Sequence, residues 1–171
     1  MSYTDSRPLD PLRWLGGPTL LCLALTVVFA TPVRLFGLQL PEPVFPLAPA
    51  FAWAVIRPSV IAPLVVLAMG LFLDFLWYSP IGLWGVSLLV GYGGILACRS
   101  MMMGQARIVL FAWYVIMVLL AMSTGYLITV LDNGSAPSVI AGFWQLLPTV
   151  LLFPASMWLI DRFEDADVRF R

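Results

Sequence analysis

Long apolar stretches, separated by short polar or proline-rich segments, dominate the pattern of the chain. About 20 apolar residues in a helix are enough to cross the roughly 30 Å hydrocarbon core of a bilayer. The pattern predicts six helices, the second of them short: residues 15–36, 47–56, 59–77, 81–97, 108–131 and 139–160. We therefore expect an all-α integral membrane protein, a single polytopic domain over residues 1–171. Its six-helix bundle would occupy 14–160, with tails at 1–13 and 161–171.

Prolines and turn-forming residues mark the boundaries between these helices. Proline lacks a backbone donor and disfavours helix in the residue before it, and Asn and Gly tolerate positive φ. The boundary signals are a proline-rich stretch with Pro41, Pro43, Pro46 and Pro49, then Arg57-Pro58, Tyr78-Ser79-Pro80 and Asp132-Asn133-Gly134. The Tyr78–Pro80 turn is expected to join the third and fourth helices as an antiparallel hairpin.

Composition agrees with a membrane location. Hydrophobic residues make up 61% of the chain and charged residues 11%, against roughly 45–50% and 25% in ordinary globular domains. A chain this apolar has too little polar surface to cover a core in water. The apolar stretches leave no room for a separate soluble domain, and the net charge of zero gives no electrostatic footprint for nucleic acid.

The distribution of arginines predicts the orientation. Positively charged residues accumulate in cytoplasmic segments of membrane proteins. With a cytoplasmic N-terminus, only Arg34 lies outside, and the inner segments hold all the other arginines: Arg7, Arg13, Arg57, Arg99, Arg107, Arg162, Arg169 and Arg171. Both termini are therefore expected in the cytoplasm, and the proline-rich loop, the Tyr78–Pro80 turn and the Asp132–Gly134 turn outside. Trp77, Tyr78 and Trp84 would lie near the outer interface, where amphipathic rings are favoured.

Little in the chain suggests catalysis or metal binding. There is no histidine, which is the commonest metal ligand and general base. The two cysteines, Cys22 and Cys98, lie in apolar stretches, where a thiol behaves as a small hydrophobe. We predict no disulfide, no metal, no cofactor and no catalytic set.

Asp74 is the acidic residue that lies well inside an apolar stretch. An ionisable residue within a membrane segment costs free energy and is a candidate functional residue. Its position shortly before Pro80 suggests that the carboxylate bonds to backbone amides of the following turn or helix. Contact with a partner or a lipid headgroup, and proton or ion relay, are the alternatives.

Small residues recur at helical spacing in three of the predicted helices. Gly70 lies one turn before Asp74, Ser87, Gly91 and Gly94 share a face of the fourth helix, and Ala121, Gly125 and Thr129 share a face of the fifth. Such residues let membrane helices approach closely. The faces are expected to pack inside the bundle or to receive another protein's helix. A larger residue at Gly91 is expected to push the third and fourth helices apart or to expel a neighbour.

The third and fourth helices carry a recognisable segment, Gly70-x-x-x-Asp74-x-Leu76 followed by Ser79-Pro80-Ile81-Gly82. It resembles the G-x-x-x-D-x-L-x-G-x-P-L-G segment of the rod shape-determining protein MreD family. Size, six helices and a short second helix after a proline-rich outer loop extend the similarity over nearly the whole chain. Tyr78 stands where the family usually has Gly, and a tyrosine adopts left-handed geometry only at a cost.

The resemblance implies a non-enzymatic scaffold of the bacterial cell-elongation complex in the cytoplasmic membrane. Its partners would be an MreC-like bitopic protein, RodA with its class B penicillin-binding transpeptidase, an MreB-like filament and membrane lipid. The family fold is similar to that of the substrate-binding subunits of energy-coupling-factor vitamin transporters. The candidate structural or partner-contact residues of the chain are Arg57, Gly70, Asp74, Pro80, Gly82, Gly91, Gly94 and Gly125.

Two other classes of function remain open. A vitamin-capture subunit would need polar groups that converge on an outward pocket, for which Asp74, Gln145 and loop residues are the candidates. A lipid-modifying membrane enzyme would need a titratable pair or a metal site facing the headgroups, and the lack of histidine argues against it.

Overall fold

The computed structural model describes residues 12–30, 34–35, 38–39, 42–56, 59–134 and 138–168. These residues are almost entirely helical. The exception is an antiparallel pair of two-residue strands, β1 (Arg34–Leu35) and β2 (Leu38–Gln39). The predicted all-helical class is thus confirmed. Arg57 and Pro58, residues 1–11 of the predicted N-terminal tail and residues 169–171 of the C-terminal tail lie outside the described residues.

The described part of the chain contains seven α-helices. A short π-helical turn, Leu12–Gly16, precedes the first, and a 3₁₀ turn, Arg99–Met101, follows the fourth. The helices are α1 (Gly17–Phe29), α2 (Leu47–Ile56), α3 (Ile61–Leu76), α4 (Leu83–Cys98), α5 (Arg107–Asn133), α6 (Val139–Val150) and α7 (Phe153–Val168). The bounds predicted for the second helix are those of α2, and α3, α4 and α5 differ from prediction by one or two residues at each end.

Two predicted helices need correction. The first was expected to reach residue 36 but ends at Phe29, because Pro32 disfavours a continuing helix and Arg34 pairs within the β1–β2 ladder. The predicted sixth helix is divided into α6 and α7 by a turn at Leu151 and Leu152. Pro154 has no amide to donate to the carbonyl of Val150, which favours the break there. Helix α7 then continues to Val168, so the start of the predicted tail is helical.

Three helical stretches are long and apolar enough to cross a membrane by length and composition: Leu83–Met101, Arg107–Asp132 and Gly142–Phe163. The last of these spans the break between α6 and α7. The other apolar helices, Trp14–Phe29, Leu47–Ile56 and Ile61–Leu76, are shorter.

Helix α2 lies at the centre of the bundle. Every side chain from Leu47 to Ala54 is buried, as expected of a helix that is apolar all round. It packs mainly against α4 and α7. Around it, α1 contacts α3, α3 contacts α4, α4 contacts α5, and α5 contacts α6.

The end of the proline-rich segment lies inside the bundle, although the whole segment was predicted to be an outer loop. Residues 43–46 are buried. The amide of Val44 donates to Thr149 Oγ1 at 3.1 Å, and Gln145 Nε2 donates to the carbonyl of Glu42 at 3.2 Å. These two bonds attach the segment to α6 and satisfy backbone groups that proline-rich chain cannot pair with itself.

Candidate functional site at the α3–α4 turn

The turn between α3 and α4 contains most of the residues that carry the family resemblance. Helix α3 ends at Leu76, residues 77–82 form the turn, and α4 begins at Leu83. Gly82, at the N-terminal cap of α4, has φ of 96° and Tyr78 has φ of 53°. The chain therefore enters the left-handed region twice within five residues, which makes the reversal tight.

Asp74 holds this turn together. Its carboxylate accepts hydrogen bonds from Ser79 Oγ at 2.9 Å, from the amide of Gly82 at 2.8 Å and from the amide of Trp84 at 2.9 Å. The residue is 2% exposed. Two of the donors belong to the start of α4, where amides lack partners within the helix and the helix dipole favours negative charge.

These bonds confirm the expected contact between Asp74 and backbone amides of the turn. A buried carboxylate is tolerated when its oxygens are hydrogen-bonded, and here both oxygens are. The Ser79 hydroxyl is a partner that the sequence interpretation missed, although a serine five residues after a buried aspartate is a usable signal. Partner contact and ion relay by Asp74 stay predictions.

Pro80 lies in the turn between the donors to Asp74. Its carbonyl accepts a hydrogen bond from the amide of Leu83 at 3.1 Å, and its ring fixes φ at this point. The amide of Ser79 donates to the backbone carbonyl of Asp74 at 3.1 Å, so side chain and main chain of Asp74 fix the same turn. Pro80 and Gly82 thus have backbone roles.

Tyr78 has a left-handed backbone conformation, which glycine adopts without strain. It is the one non-glycine residue with positive φ among the residues that the structure describes, and its side chain is 96% exposed. A left-handed conformation costs an L-residue about 1–2 kcal/mol. The turn therefore holds an unfavourable backbone conformation at a residue whose ring points away from the core.

The surface around the turn is apolar and aromatic. Phe75, Tyr78 and Ile81 are all strongly exposed. The ring of Trp77 packs edge-on against Trp84 with 5.2 Å between centroids, and the Trp77 indole nitrogen is buried with no hydrogen-bond partner in the described part of the chain. The turn thus presents apolar side chains at its surface, with the unpaired indole nitrogen buried beneath them.

Gly70 sets the distance between α3 and α4. A Cβ atom at Gly70 would lie 2.5 Å from Cα of Gly85 and 2.6 Å from its nitrogen. Both contacts are with backbone, which cannot turn aside as a side chain can. Gly85, which the sequence interpretation did not single out, is the partner surface. It could be recognised only once the two helices were placed against each other.

The other predicted glycines lie between α4 and α5. A Cβ at Gly91 would lie 3.3 Å from the Cβ of Ala121, one at Gly94 2.8 Å from a methyl of Leu120, and one at Gly125 3.2 Å from Ser87 Oγ. Gly91 therefore lies against α5 and not against α3. Of the two effects expected of a larger residue there, displacement of a neighbouring helix fits this placement, and separation of the third and fourth helices does not. Of the two alternatives for the small-residue face of α5, packing inside the bundle is the one found.

Arg99 has a structural partner that sequence did not suggest. Its Nε and Nη2 donate to the carbonyls of Val55 and Ile56, each at 2.9 Å. These carbonyls end α2, where no further turn of helix can pair with them. The guanidinium thus fixes the end of α4 to the end of α2. Arg57, the neighbouring predicted site residue, lies outside the described residues.

The polar groups proposed for a capture pocket are already engaged. Asp74 bonds to its own turn, and Gln145 bonds to the carbonyl of Glu42. Within the described ranges no group of three or more His, Cys, Asp or Glu side chains is placed to hold a metal ion. At the α3–α4 turn the described residues make hydrogen bonds to Asp74 and expose apolar side chains.

Comparison of the chain with protein-family models, with curated proteins and with solved structures gives no match.

Proposed function

We propose that the chain is an integral membrane protein of six spans and a non-enzymatic scaffold of the bacterial cell-elongation complex, as its resemblance to the MreD family implies. One observation carries the proposal. The residues of the resembling segment form one physical unit, in which Gly70 packs on Gly85 and Asp74 bonds to the turn that contains Pro80 and Gly82. Because these residues contact one another in the fold, the resemblance of the segment is more specific than a match of residue types alone.

The outer surface of the bundle supports insertion in a membrane. Three helices have the length and composition of membrane spans. The exposed face of α3 is apolar throughout, with Ile61, Leu64, Ala68, Leu71 and Phe75 along it. A water-soluble protein rarely exposes contiguous apolar surface on this scale.

The α3–α4 turn is the proposed contact with the MreC-like bitopic protein. Phe75, Tyr78 and Ile81 offer exposed apolar contact area to such a partner. In the proposed orientation this turn lies at the outer face of the cytoplasmic membrane. RodA, its class B transpeptidase and the MreB-like filament would be reached through the same assembly, with both termini of the chain in the cytoplasm.

The orientation is tested with reporter fusions. Fusions after Arg99 and after Arg171 should report a cytoplasmic location, and one at Asn133 a periplasmic location. A cytoplasmic signal at Asn133 would overturn the six-span arrangement independently of any partner.

Partner binding at the turn is tested with two kinds of variant, one that changes the stability of the fold and one that changes only the exposed surface. Asp74→Asn should lower the free energy of unfolding by about 1–2 kcal/mol, since one charge-assisted acceptor is lost. Asp74→Ala should lower it more, because buried amides lose their partner. Ile81→Ser changes the exposed surface without touching any bond of the carboxylate. Each variant is assayed for protein level, thermal stability and co-purification of an MreC-like protein in mild detergent.

The control is Leu64→Ser, a change at an exposed apolar residue of α3 that is far from the turn. The proposal expects Ile81→Ser to keep wild-type stability and lose the partner, and Leu64→Ser to keep both. If Ile81→Ser co-purifies the partner as well as the wild type does, the turn is not the contact. If the wild type itself brings down no elongation protein, the scaffold function fails.

A further inference from the structure

The helices on one side of the bundle are much shorter than those on the other. Helix α3 has 16 residues, and the apolar stretch Trp14–Phe29 that contains α1 is equally long. The apolar part of α5, Arg107–Asp132, has 26 residues. At 1.5 Å per residue these lengths are about 24 Å and about 39 Å. Helix α4, which lies between α3 and α5, has 16 residues, and together with the 3₁₀ turn that follows it forms the 19-residue stretch Leu83–Met101.

Both sides present apolar surface to their surroundings. On α3 the exposed large residues run from Ile61 to Phe75, and on α5 they run from Ile108 to Leu131. Helix α2 is shorter than either, but it is buried by the other helices and has no outer face. The difference in length between α3 and α5 therefore lies on surfaces that would contact a bilayer.

Helix tilt does not remove this difference. Membrane helices tilt by up to about 40°, which would lower α5 from about 39 Å to about 30 Å, the ordinary hydrocarbon thickness. Lowering it to the 24 Å of α3 would need about 50°, outside that range. Tilt shortens a span and cannot lengthen α3, whose apolar face is followed at one end by the Trp77–Tyr78 interface residues.

We propose that this protein thins the bilayer on its α1–α3 side, so that the partner of this surface is a locally compressed layer of lipid acyl chains. The inference rests on the proposed membrane insertion. A span that is too short forces the surrounding lipid to shorten or polar groups to enter hydrocarbon. The α5 side fits an ordinary bilayer by tilting, so the deformation is confined to one side of the bundle.

The test measures the depth of spin labels on the two sides. Cys22 and Cys98 are free and are first replaced by alanine. Single cysteines are then placed at Leu64 and Phe75 on α3, or at Ile116 and Leu127 on α5. All four positions are exposed, and the two members of each pair are equally far apart in sequence. Labelled protein is reconstituted in phosphatidylcholine bilayers with two monounsaturated chains of 14, 18 or 22 carbons.

Relative accessibility to oxygen and to a water-soluble nickel chelate gives the depth of each label below the local headgroups. In 18-carbon bilayers the α3 labels should lie about 3 Å shallower than a bilayer of about 30 Å would place them. Their depth should stay nearly constant over the lipid series, while the α5 labels become deeper as the chains lengthen.

Two failures are distinguishable. Equal deepening of the α3 and α5 labels with chain length would overturn the thinning while leaving the membrane protein intact. Full accessibility of all four labels to the nickel chelate would show that the bundle is not inserted, which refutes the proposed membrane location itself.

Discussion

Replacing Gly70 by alanine should separate α3 from α4. The added Cβ would lie 2.5 Å and 2.6 Å from two backbone atoms of Gly85 and 2.8 Å from the carbonyl carbon of Trp84. No rotamer change relieves contacts with backbone, so the helices must move apart. The same movement would pull the amide of Trp84 from Asp74. Overpacking of this kind costs typically about 1–3 kcal/mol.

Gly93→Ala is the matched control. Gly93 is a helical glycine of α4, and a Cβ there would meet nothing within 4 Å. Each substitution adds one methyl group. Each also makes the helical conformation more favourable by the same intrinsic propensity difference between glycine and alanine, about 0.8–1.0 kcal/mol. That gain cancels in the difference between the two variants, which therefore reports the steric cost alone.

The free energy of unfolding is measured by denaturant titration of both variants in mixed detergent micelles. Gly93→Ala should match or slightly exceed the wild type, and Gly70→Ala should fall below Gly93→Ala by about 1–3 kcal/mol. Equal stability of the two variants would refute the close backbone contact between α3 and α4.

Three further changes test other contacts. Tyr78→Gly should raise the free energy of unfolding by about 0.5–1 kcal/mol, since the left-handed penalty is relieved but glycine loses more entropy on folding; a lower melting temperature would contradict the φ of 53°. Arg99→Ala should lower the free energy of unfolding by about 1–3 kcal/mol, because two carbonyls of α2 lose charged donors. The control is Arg107→Ala, which breaks an exposed ion pair and should lower it by less than about 1 kcal/mol. Equal losses in the two variants would argue against the contact between Arg99 and α2. Gly91→Leu should force α4 away from α5, and cysteine cross-linking across that pair should become slower than in the wild type; an unchanged rate would place Gly91 elsewhere.

The sequence predicted best where the cause is local. The bounds of α2 follow from prolines before it and Arg57-Pro58 after it. The bonds of Asp74 could be anticipated because a buried carboxylate needs donors and the following turn supplies unpaired amides within ten residues. Local chain geometry thus determines both features.

Features that depend on tertiary placement were missed. Gly85 matters only because Gly70 lies against it, and Arg99 reaches carbonyls more than 40 residues earlier in the chain. The helix that the Gly91 face meets could not be predicted, because helical spacing groups residues on one side of a helix but does not say which neighbour that side meets. Hydropathy likewise overestimated α1, since apolar residues continue beyond the helix end at Phe29.

The central position of α2 has a consequence for the synthesis of the protein. Ten apolar residues are too short to cross a bilayer alone, and the carbonyls that end α2 receive their donors only when Arg99 has been made, 43 residues after Ile56. At translation rates of roughly 5–20 residues per second this interval is about 2–9 seconds. In the proposed membrane location, nascent α2 would then be too short to enter lipid as an independent span during that time. It would stay at the membrane surface or within the insertion machinery until α4 has been made, so that its entry would be a late step although it is encoded early.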